Sequence, residues 1–129
     1  MKYQSSYFLK GKDEPTVSVD EGITRQLLGY NDSMMVARVE FENDAVGYTH
    51  RHPHSQVAYV ESGVFDFSVG SETSRLEAGD CAYIPPNIDH GAKCIEAGVL
   101  LDIFSPIRED FIPEQDTEKT RKSEDQDGY

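Results

Sequence analysis

The chain of 129 residues has the length of one ordinary domain and carries a net charge of −12. This negative field repels nucleic-acid phosphates and anionic lipid surfaces, so the composition disfavours nucleic acids and membranes as partners. No apolar run reaches the roughly 20 residues of a membrane span, and the first residues lack the apolar stretch of a secretory signal. Cys81 and Cys94 form neither a CxxC pair nor a disulfide framework, which predicts a cytoplasmic protein.

The two ends of the chain differ in composition from its middle. Residues 1–33 are expected to form an N-terminal strand or arm region, in which residues 24–29 fit a strand or a helical turn equally well. Residues 112–129 are expected to be an acidic, disordered tail. From residue 114 onward this tail has six acidic and three basic side chains and too few apolar ones to offset its ordering entropy.

Residues 34–111 are expected to form a barrel of short β-strands. The alternation in residues 35–41 places Met35, Ala37, Val39 and Phe41 on one face of a strand. Similar runs follow at residues 56–60, 65–69, 81–84 and 99–104. A turn is predicted at residues 61–63. Short strands separated by Gly and Pro, with no helical period between them, predict an all-β sandwich or barrel.

All four histidines lie in this middle segment. Residues two apart on a strand point the same way, so His50 and His52 place both imidazoles on one face. His90 follows from a later strand. Two imidazoles from one strand and a third from its neighbour suit a divalent transition metal with open coordination positions. His54 lies beyond a proline and is expected at the mouth of the site, outside the ligand set.

Two stretches around these histidines resemble the two motifs of the cupin family. The first reads His50-x-His52-xxx-Gln56-xxxxxx-Gly63, and the second reads Gly79-xxxxx-Pro85-x-Asn87-xx-His90. Gln56 stands where many cupins carry Glu. Asn87 replaces a usual Gly and is a reasonable substitute because Asn adopts positive φ more readily than other residues with a Cβ. Asp44 and Cys94 also depart from the pattern, at positions that are not usual metal ligands.

The resemblance implies a double-stranded β-helix, the jelly-roll cupin barrel, with a metal inside. The implied ligands are His50, His52, Gln56 and His90, holding one divalent transition metal: Ni, Zn, Mn, Fe or Co. A homodimer is also implied, because many small cupins pair through their sheets. With Gln56 in place of Glu, the protein neutralises none of the charge of the metal, which favours anionic ligands and proton or ring chemistry over oxygenase chemistry.

A second group of polar residues follows near the end of the barrel. Asp102 and Phe104 share one face of a strand, and an Asp in an apolar strand is costly unless it faces water or a partner. The guanidinium of Arg108 can present a fork to the carboxylate of a sugar acid. The alternative at this point has Asp102 facing solvent and Arg108 paired with Glu109 or Asp110.

The cupin motifs with Gln56, followed by Asp-Ile-Phe-Ser-Pro-Ile-Arg-Glu-Asp-Phe at residues 102–111, resemble the KdgF family of pectin- and alginate-degradation cupins. This resemblance implies an enzyme that converts 4,5-unsaturated monouronates to the linear 5-keto-4-deoxyuronate. It assigns a catalytic role to Asp102, a catalytic and carboxylate-binding role to Arg108, and sugar binding to Phe104. The alternatives are a metal-dependent cupin dioxygenase acting on a small organic substrate and a non-catalytic cupin that binds a sugar acid.

Overall fold

Antiparallel strands make up most of the computed structural model, which describes residues 1–113. The strands are β1 (Thr16–Asp20), β2 (Ile23–Asn31), β3 (Met34–Phe41), β4 (Val46–His50), β5 (Ser55–Val69), β6 (Glu72–Glu77), β7 (Cys81–Ile84) and β8 (His90–Ser105). Two single-turn 3-10 helices, Gly11–Asp13 and Glu109–Phe111, flank them. Within residues 1–113 no helix is long and apolar enough to cross a membrane. The predicted acidic tail lies outside the described residues from residue 114 onward.

Two long strands, β5 and β8, belong to both layers of the barrel. The first part of β5 pairs with β7, and its last part pairs with β6. The last part of β8 pairs with β3, and its first part pairs with β4. The layers are therefore β1-β2-β3-β8-β5-β7 and β4-β8-β5-β6, joined through the two shared strands. This arrangement confirms the predicted all-β jelly-roll barrel.

A bulge carries β5 from one layer to the other, where the sequence predicted a turn at residues 61–63. β5 is a single strand of 15 residues with register shifts between Val60 and Phe65. Gly63 has a φ of 85°, and a Cβ there would lie 2.6 Å from the carbonyl oxygen of Glu96. A Cβ on Gly98, in β8, would overlap the carbonyl oxygen of Ser62. The predicted turn is wrong because these glycines let two bent strands stay paired at close approach.

The apolar side chains of β3 form one wall of the core. Met35, Ala37, Val39 and Phe41 are buried, which confirms the face predicted from their alternation. Residues 24–29, left open between strand and turn, lie in β2, which pairs with β3 along most of its length. β2 thus extends the layer that carries the core.

Two non-glycine residues that depart from the motifs adopt a left-handed backbone. Asp44 has a φ of 68° and Asn87 a φ of 63°. Both stand where glycine is usual in the motifs, and Asp and Asn are the side chains that tolerate this region best after glycine. The turns are therefore preserved despite the substitutions.

The N-terminal arm, residues 1–5, is fixed to the turn between β2 and β3. The Asp32 carboxylate accepts hydrogen bonds from the backbone N–H groups of Lys2 (3.0 Å) and Tyr3 (2.6 Å). These two bonds hold the pKa of Asp32 below its ordinary value, and the bond from Lys2 has the larger effect. The backbone carbonyl of Asp32 accepts a further bond from the N–H of Ile107 at 3.2 Å. The same turn therefore holds both the arm and the start of the segment that carries Arg108.

Candidate metal centre

Three histidines meet where β4 ends and β8 begins. His50 pairs across the ladder with His90, and their ring centroids lie 4.4 Å apart. The His52 centroid lies 4.7 Å from that of His90, although His52 follows the end of β4 instead of continuing the strand. Each ring offers one nitrogen, and these atoms all lie within 4.8 Å of one another, so the group could hold a metal ion. The predicted clustering of the three residues is confirmed.

Backbone carbonyls orient the three rings. The Nδ1 atoms of His50, His52 and His90 lie 2.9, 3.2 and 2.9 Å from the carbonyl oxygens of Tyr48, His54 and Ile88. A carbonyl oxygen only accepts, so this contact favours the hydrogen on Nδ1 and leaves a lone pair on Nε2. Metal-binding histidines are commonly oriented by such a second contact.

Burial keeps two of the rings neutral. Desolvation, assisted by the charge of Arg108, lowers the pKa of His52 to about 4. Desolvation is also the largest cause that lowers the pKa of His90 to about 4. Neutral imidazole is the form that binds a metal, so no proton has to be displaced from these rings at neutral pH.

Gln56 places an oxygen beside the His52 ring. The Gln56 amide nitrogen donates to Asp102 Oδ1 at 2.9 Å, which directs Oε1 to within 3.0 Å of His52 Nε2. Both nitrogens of His52 therefore face oxygens that only accept, but a neutral imidazole has a single N–H. A cation held between Nε2 and Oε1 resolves this conflict, and both atom types are ordinary metal ligands.

His90 supplies a second observation that fits a bound cation. Its side chain is buried, and within residues 1–113 its Nε2 atom has no hydrogen-bond partner. A buried polar atom without a partner costs free energy. The donor set formed by the three rings and the Gln56 oxygen therefore fits a divalent transition metal.

Asp102 lies in the barrel interior, between two alanines. It pairs across the ladders with Ala37 on one side and Ala58 on the other, and it is 0% exposed. The alternative in which Asp102 faces solvent is therefore wrong. Burial raises the pKa of Asp102 to about 7, against the opposing effects of the Gln56 hydrogen bond and the charge of Arg108. Its second oxygen, Oδ2, is buried and has no hydrogen-bond partner in the described part of the chain.

Arg108 is buried and already holds one carboxylate. Its Nε and Nη2 atoms donate to the two oxygens of Asp110 at 3.1 and 2.9 Å. The pairing with Asp110 that the sequence left open is therefore present. Arg108 Nη1 is buried, and among residues 1–113 nothing accepts a hydrogen bond from it. This nitrogen leaves donor capacity for an incoming anion.

Aromatic rings surround this arginine. The Arg108 guanidinium carbon lies 5.2 Å from the centroid of the Phe104 ring and 4.3 Å from that of Phe111. Phe104 is buried and contacts His52 edge-on, with centroids 5.8 Å apart. Phe104 therefore lies against His52, and the Arg108 guanidinium lies beside Phe104.

His54 neighbours the three-histidine group but is not one of its members. Its ring contacts His52, with centroids 5.3 Å apart, but it faces a cavity of about 360 Å³ beside the Arg108 segment. Lys2, Tyr3 and Glu109 line the same cavity.

Arg25 and Phe111 are two further residues near the site that no sequence pattern predicted. The Arg25 guanidinium carbon lies 3.6 Å from the centroid of the Phe111 ring, next to Arg108. The alternation of Ile23, Arg25 and Leu27 places the three side chains on one face only if residues 23–31 form a strand, which the sequence did not decide. Phe111 contacts Arg25 although the two residues lie far apart in the sequence. No local sequence pattern predicts such a contact.

Several known proteins are similar to this chain in sequence and in structure. The cupin domain family matches residues 37–104. The pectin degradation protein KdgF of Dickeya dadantii is 36% identical over 108 residues, which span 82% of this chain and 97% of that protein. A crystal structure of an RmlC-like cupin from Shewanella frigidimarina has a TM-score of 0.83 and 43% identity, over 84% of this chain and 98% of that one. KdgF from Halomonas sp. has a TM-score of 0.80 and 32% identity, over 84% of this chain and 100% of that one.

Proposed function

Because the chain belongs to the cupin family and is KdgF-like over most of its length, we propose that it converts 4,5-unsaturated monouronates to linear 5-keto-4-deoxyuronate. The substrates would come from the breakdown of pectin or alginate. The observation that carries the proposal is the Gln56 side chain, whose oxygen faces His52 while its nitrogen holds the buried Asp102. This single amide joins a metal-binding group to an acid/base group.

We propose that His50, His52, Gln56 and His90 bind one divalent transition metal. The candidates remain Ni, Zn, Mn, Fe and Co, since imidazole and amide ligands accept each of them. The support is the pair of unsatisfied contacts at His52 and His90. A divalent cation bound there supplies Lewis acidity, which stabilises negative charge on substrate oxygens.

Arg108 and Phe104 are the proposed substrate-binding residues. A uronate carboxylate accepts hydrogen bonds, and Arg108 Nη1 is a buried donor that no described residue uses. Phe104 lies between His52 and Arg108 and offers an apolar surface to the face of the sugar ring. Together they hold the acid end of the substrate beside Asp102 and exclude water.

Asp102 is the proposed general acid/base. The substrate is a cyclic hemiacetal whose ring oxygen is attached to the C4=C5 double bond. As Asp102 takes the proton of the anomeric hydroxyl, the C1–O5 bond breaks and C1 becomes an aldehyde. The electrons of that bond pass to O5 and leave an enolate; Asp102 then delivers the same proton to C4, and the enolate becomes a ketone at C5, so the product is an isomer of the substrate. A carboxyl group whose pKa lies at about 7 can both accept and donate a proton at neutral pH.

Proton NMR tests this reaction directly. Metal-loaded protein is incubated with the unsaturated galacturonate that a pectate lyase releases, and the vinylic proton at C4 is followed against a protein-free control. Accelerated loss of that signal, with an aldehyde hydrate and a C5 ketone appearing, is the expected result. Oxygen consumption during the reaction would favour the dioxygenase alternative. Saturable binding of the sugar acid with an unaccelerated signal would favour the non-catalytic one.

We also propose that the protein works in the cytoplasm as a homodimer. Cys81 and Cys94 are unpaired, as expected in a reducing compartment. The outer face of β3, β5, β7 and β8 is apolar and partly exposed; this dimer face comprises Val36, Val57, Tyr59, Tyr83, Leu101 and Ile103. The net charge of −12 opposes association of two copies, and burial of this apolar face, which the Arg38–Glu61 ion pair adjoins, can offset that repulsion.

A further inference from the structure

Arg25 is a half-buried arginine of β2 beside the proposed substrate pocket, and neither cupin motif contains it. In the β2–β3 ladder it pairs with Val39, which is fully buried. Residues paired in this way point to the same side of a sheet. Ile23, two residues earlier, is also buried. The Arg25 side chain therefore enters the barrel from a strand that supplies no other residue of the pocket.

The Phe111 ring connects Arg25 to the pocket. The guanidinium carbon of Arg25 lies 3.6 Å from the ring centroid, and that of Arg108 lies 4.3 Å from it. Phe104 contacts the same ring edge-on, with centroids 5.5 Å apart. A cation close to an aromatic face is attracted by the ring quadrupole, and the attraction is larger where water is excluded. One buried ring thus contacts both arginines and the residue proposed to bind the sugar.

The segment that carries Arg108 is held at both ends. Ile107 donates its backbone N–H to Asp32, and Phe111 closes the 3-10 helix that follows Arg108. Between them, Asp110 holds the Arg108 guanidinium. Burial raises the pKa of Asp110, but its hydrogen bonds to Arg108 and the charges of Arg108 and Arg25 outweigh this and keep it below its ordinary value. Arg25 therefore acts on two of the groups that fix Arg108.

From these contacts we propose that Arg25 is a positioning residue, which fixes the Arg108 guanidinium for the substrate carboxylate through its contact with Phe111. This inference rests on the proposed function and deepens it, because it assigns part of the selectivity for sugar acids to a residue of β2. Arg25 acts chiefly on the binding of the carboxylate, because its charge is the smallest of the effects that oppose the raised pKa of Asp102. Its loss therefore raises KM and leaves kcat nearly unchanged.

The test compares Arg25→Met and Arg25→Lys with the control Arg38→Met. Arg38 lies on β3 with its side chain partly exposed and paired with Glu61 on the outer surface. We expect Arg25→Met to raise KM for the unsaturated galacturonate about tenfold, equal to about 1.4 kcal/mol. Arg25→Lys restores part of the affinity because it keeps the charge but lacks the planar group. A KM for Arg25→Met equal to that of Arg38→Met would overturn the proposal.

A double-mutant cycle separates positioning from a general loss of structure. Phe111→Leu keeps an apolar side chain in the core but removes the ring that Arg25 contacts. If Arg25 acts through Phe111, the effects of Arg25→Met and Phe111→Leu on KM are less than additive in the double variant. Fully additive effects would show that Arg25 acts by another route. Thermal unfolding of each variant, with and without metal, identifies any that fails to fold, and Arg25→Lys then carries the test.

A binding experiment distinguishes failure of this inference from failure of the proposed reaction. D-galacturonate, which carries the carboxylate but lacks the double bond, is titrated calorimetrically into metal-loaded protein, with D-galactose as the neutral control. We expect galacturonate to bind, and Arg25→Met to weaken that binding about tenfold, whether or not the unsaturated sugar is turned over. Wild-type protein that binds neither sugar, or binds both equally, would overturn the inference. Normal turnover with an unchanged KM in Arg25→Met would overturn it and leave the proposed reaction intact.

Discussion

At Asp102, burial and a single amide hydrogen bond act on the same carboxyl group in opposite directions. Ala37 and Ala58 flank it with methyl groups, so desolvation is the largest effect and raises the pKa to about 7. Gln56 opposes this by donating to Oδ1. The small neighbours therefore matter as much as the carboxyl group, because larger or polar ones would change how it titrates.

The first prediction concerns this carboxyl group. Asp102→Asn keeps an oxygen that accepts from Gln56 but cannot carry the transferred proton. We expect the rate of vinylic proton loss to fall by about a hundredfold or more, with metal content unchanged by elemental analysis. The control is Asp66→Asn, which removes a surface carboxylate paired with Arg75 and is expected to leave the rate unchanged. An Asp102→Asn variant as active as the control would refute the acid/base role.

The sequence predicted individual residues best where their spacing is local. The spacing of two residues predicted that His50 and His52 lie together, whereas placing His90 with them needed a later strand and the second cupin motif. The hydrogen bond between Gln56 and Asp102 joins residues 46 positions apart, so only the register of β5 against β8 reveals it. The hydrogen bonds from Arg108 to Asp110 were not predicted for a different reason. The sequence does not show which of the neighbouring acidic side chains pairs with Arg108.

Among the elements, the bends of β5 and β8 determine the shape of the barrel. The bends coincide at Gly63 and Gly98, where the strands approach so closely that a Cβ on either would meet backbone atoms of the other. In the sequence, residues 61–63 resemble a turn because glycine is common both in the turns that end strands and in bulges within strands. The distinction needs the partner strand, which lies about 35 residues away in the register of β5 with β8.

The second prediction tests this close approach. Gly98→Ala places a methyl group against the Ser62 carbonyl, so one of the two strands must shift. We expect the free energy of unfolding to fall by about 3 kcal/mol in chemical denaturation. Gly29→Ala, in β2, is the matched control because a Cβ there meets nothing within 4 Å. Equal stability of the two variants would mean that the crossing of β5 and β8 tolerates a side chain.

The third prediction concerns the N-terminal arm and pH. Asp32 has a folded-state pKa below its ordinary value of 3.8, because the N–H groups of Lys2 and Tyr3 stabilise the charged form. Its contribution to stability is therefore present above pH 3.8 and is lost as the pH falls through the lowered folded-state value. Denaturation at several pH values should show that Asp32→Asn is less stable than wild type at neutral pH and that this difference shrinks below pH 3.8. A difference that does not vary with pH would show that the charge of Asp32 does not hold the arm.

For the whole molecule, an acidic exterior encloses an interior that contains a buried arginine, Arg108, and a buried aspartate, Asp102. The net charge of −12 is compatible with an anionic substrate because Arg25, Arg108 and a bound metal would make the pocket locally positive. Composition alone disfavoured nucleic-acid partners but did not reveal the positively charged groups near the pocket. The fold class followed from strand spacing, whereas the polar interior required knowing which face of each strand points inward.

The fourth prediction concerns assembly through the dimer face. Tyr83 and Ile103 are exposed there to 62% and 38%, so Tyr83→Glu or Ile103→Glu places a charge in the interface. We expect light scattering to give twice the chain mass of 14.5 kDa for wild type and a single chain mass for either variant. Tyr48→Glu, on the exposed side of β4, is the control and should remain dimeric. Wild-type protein that is monomeric at high concentration would exclude the dimer.

The most direct test measures metal content and turnover in the same samples. Wild-type protein is depleted of metal in steps with a chelator, and bound metal and the rate of vinylic proton loss are determined at each step. His90→Ala and His54→Ala are compared in parallel, because only the first removes a ligand nitrogen of the three-histidine group. We predict a rate proportional to bound metal, with both lost in His90→Ala and both retained in His54→Ala. A rate that persists in metal-free wild-type protein, or full metal binding by His90→Ala, would contradict the account.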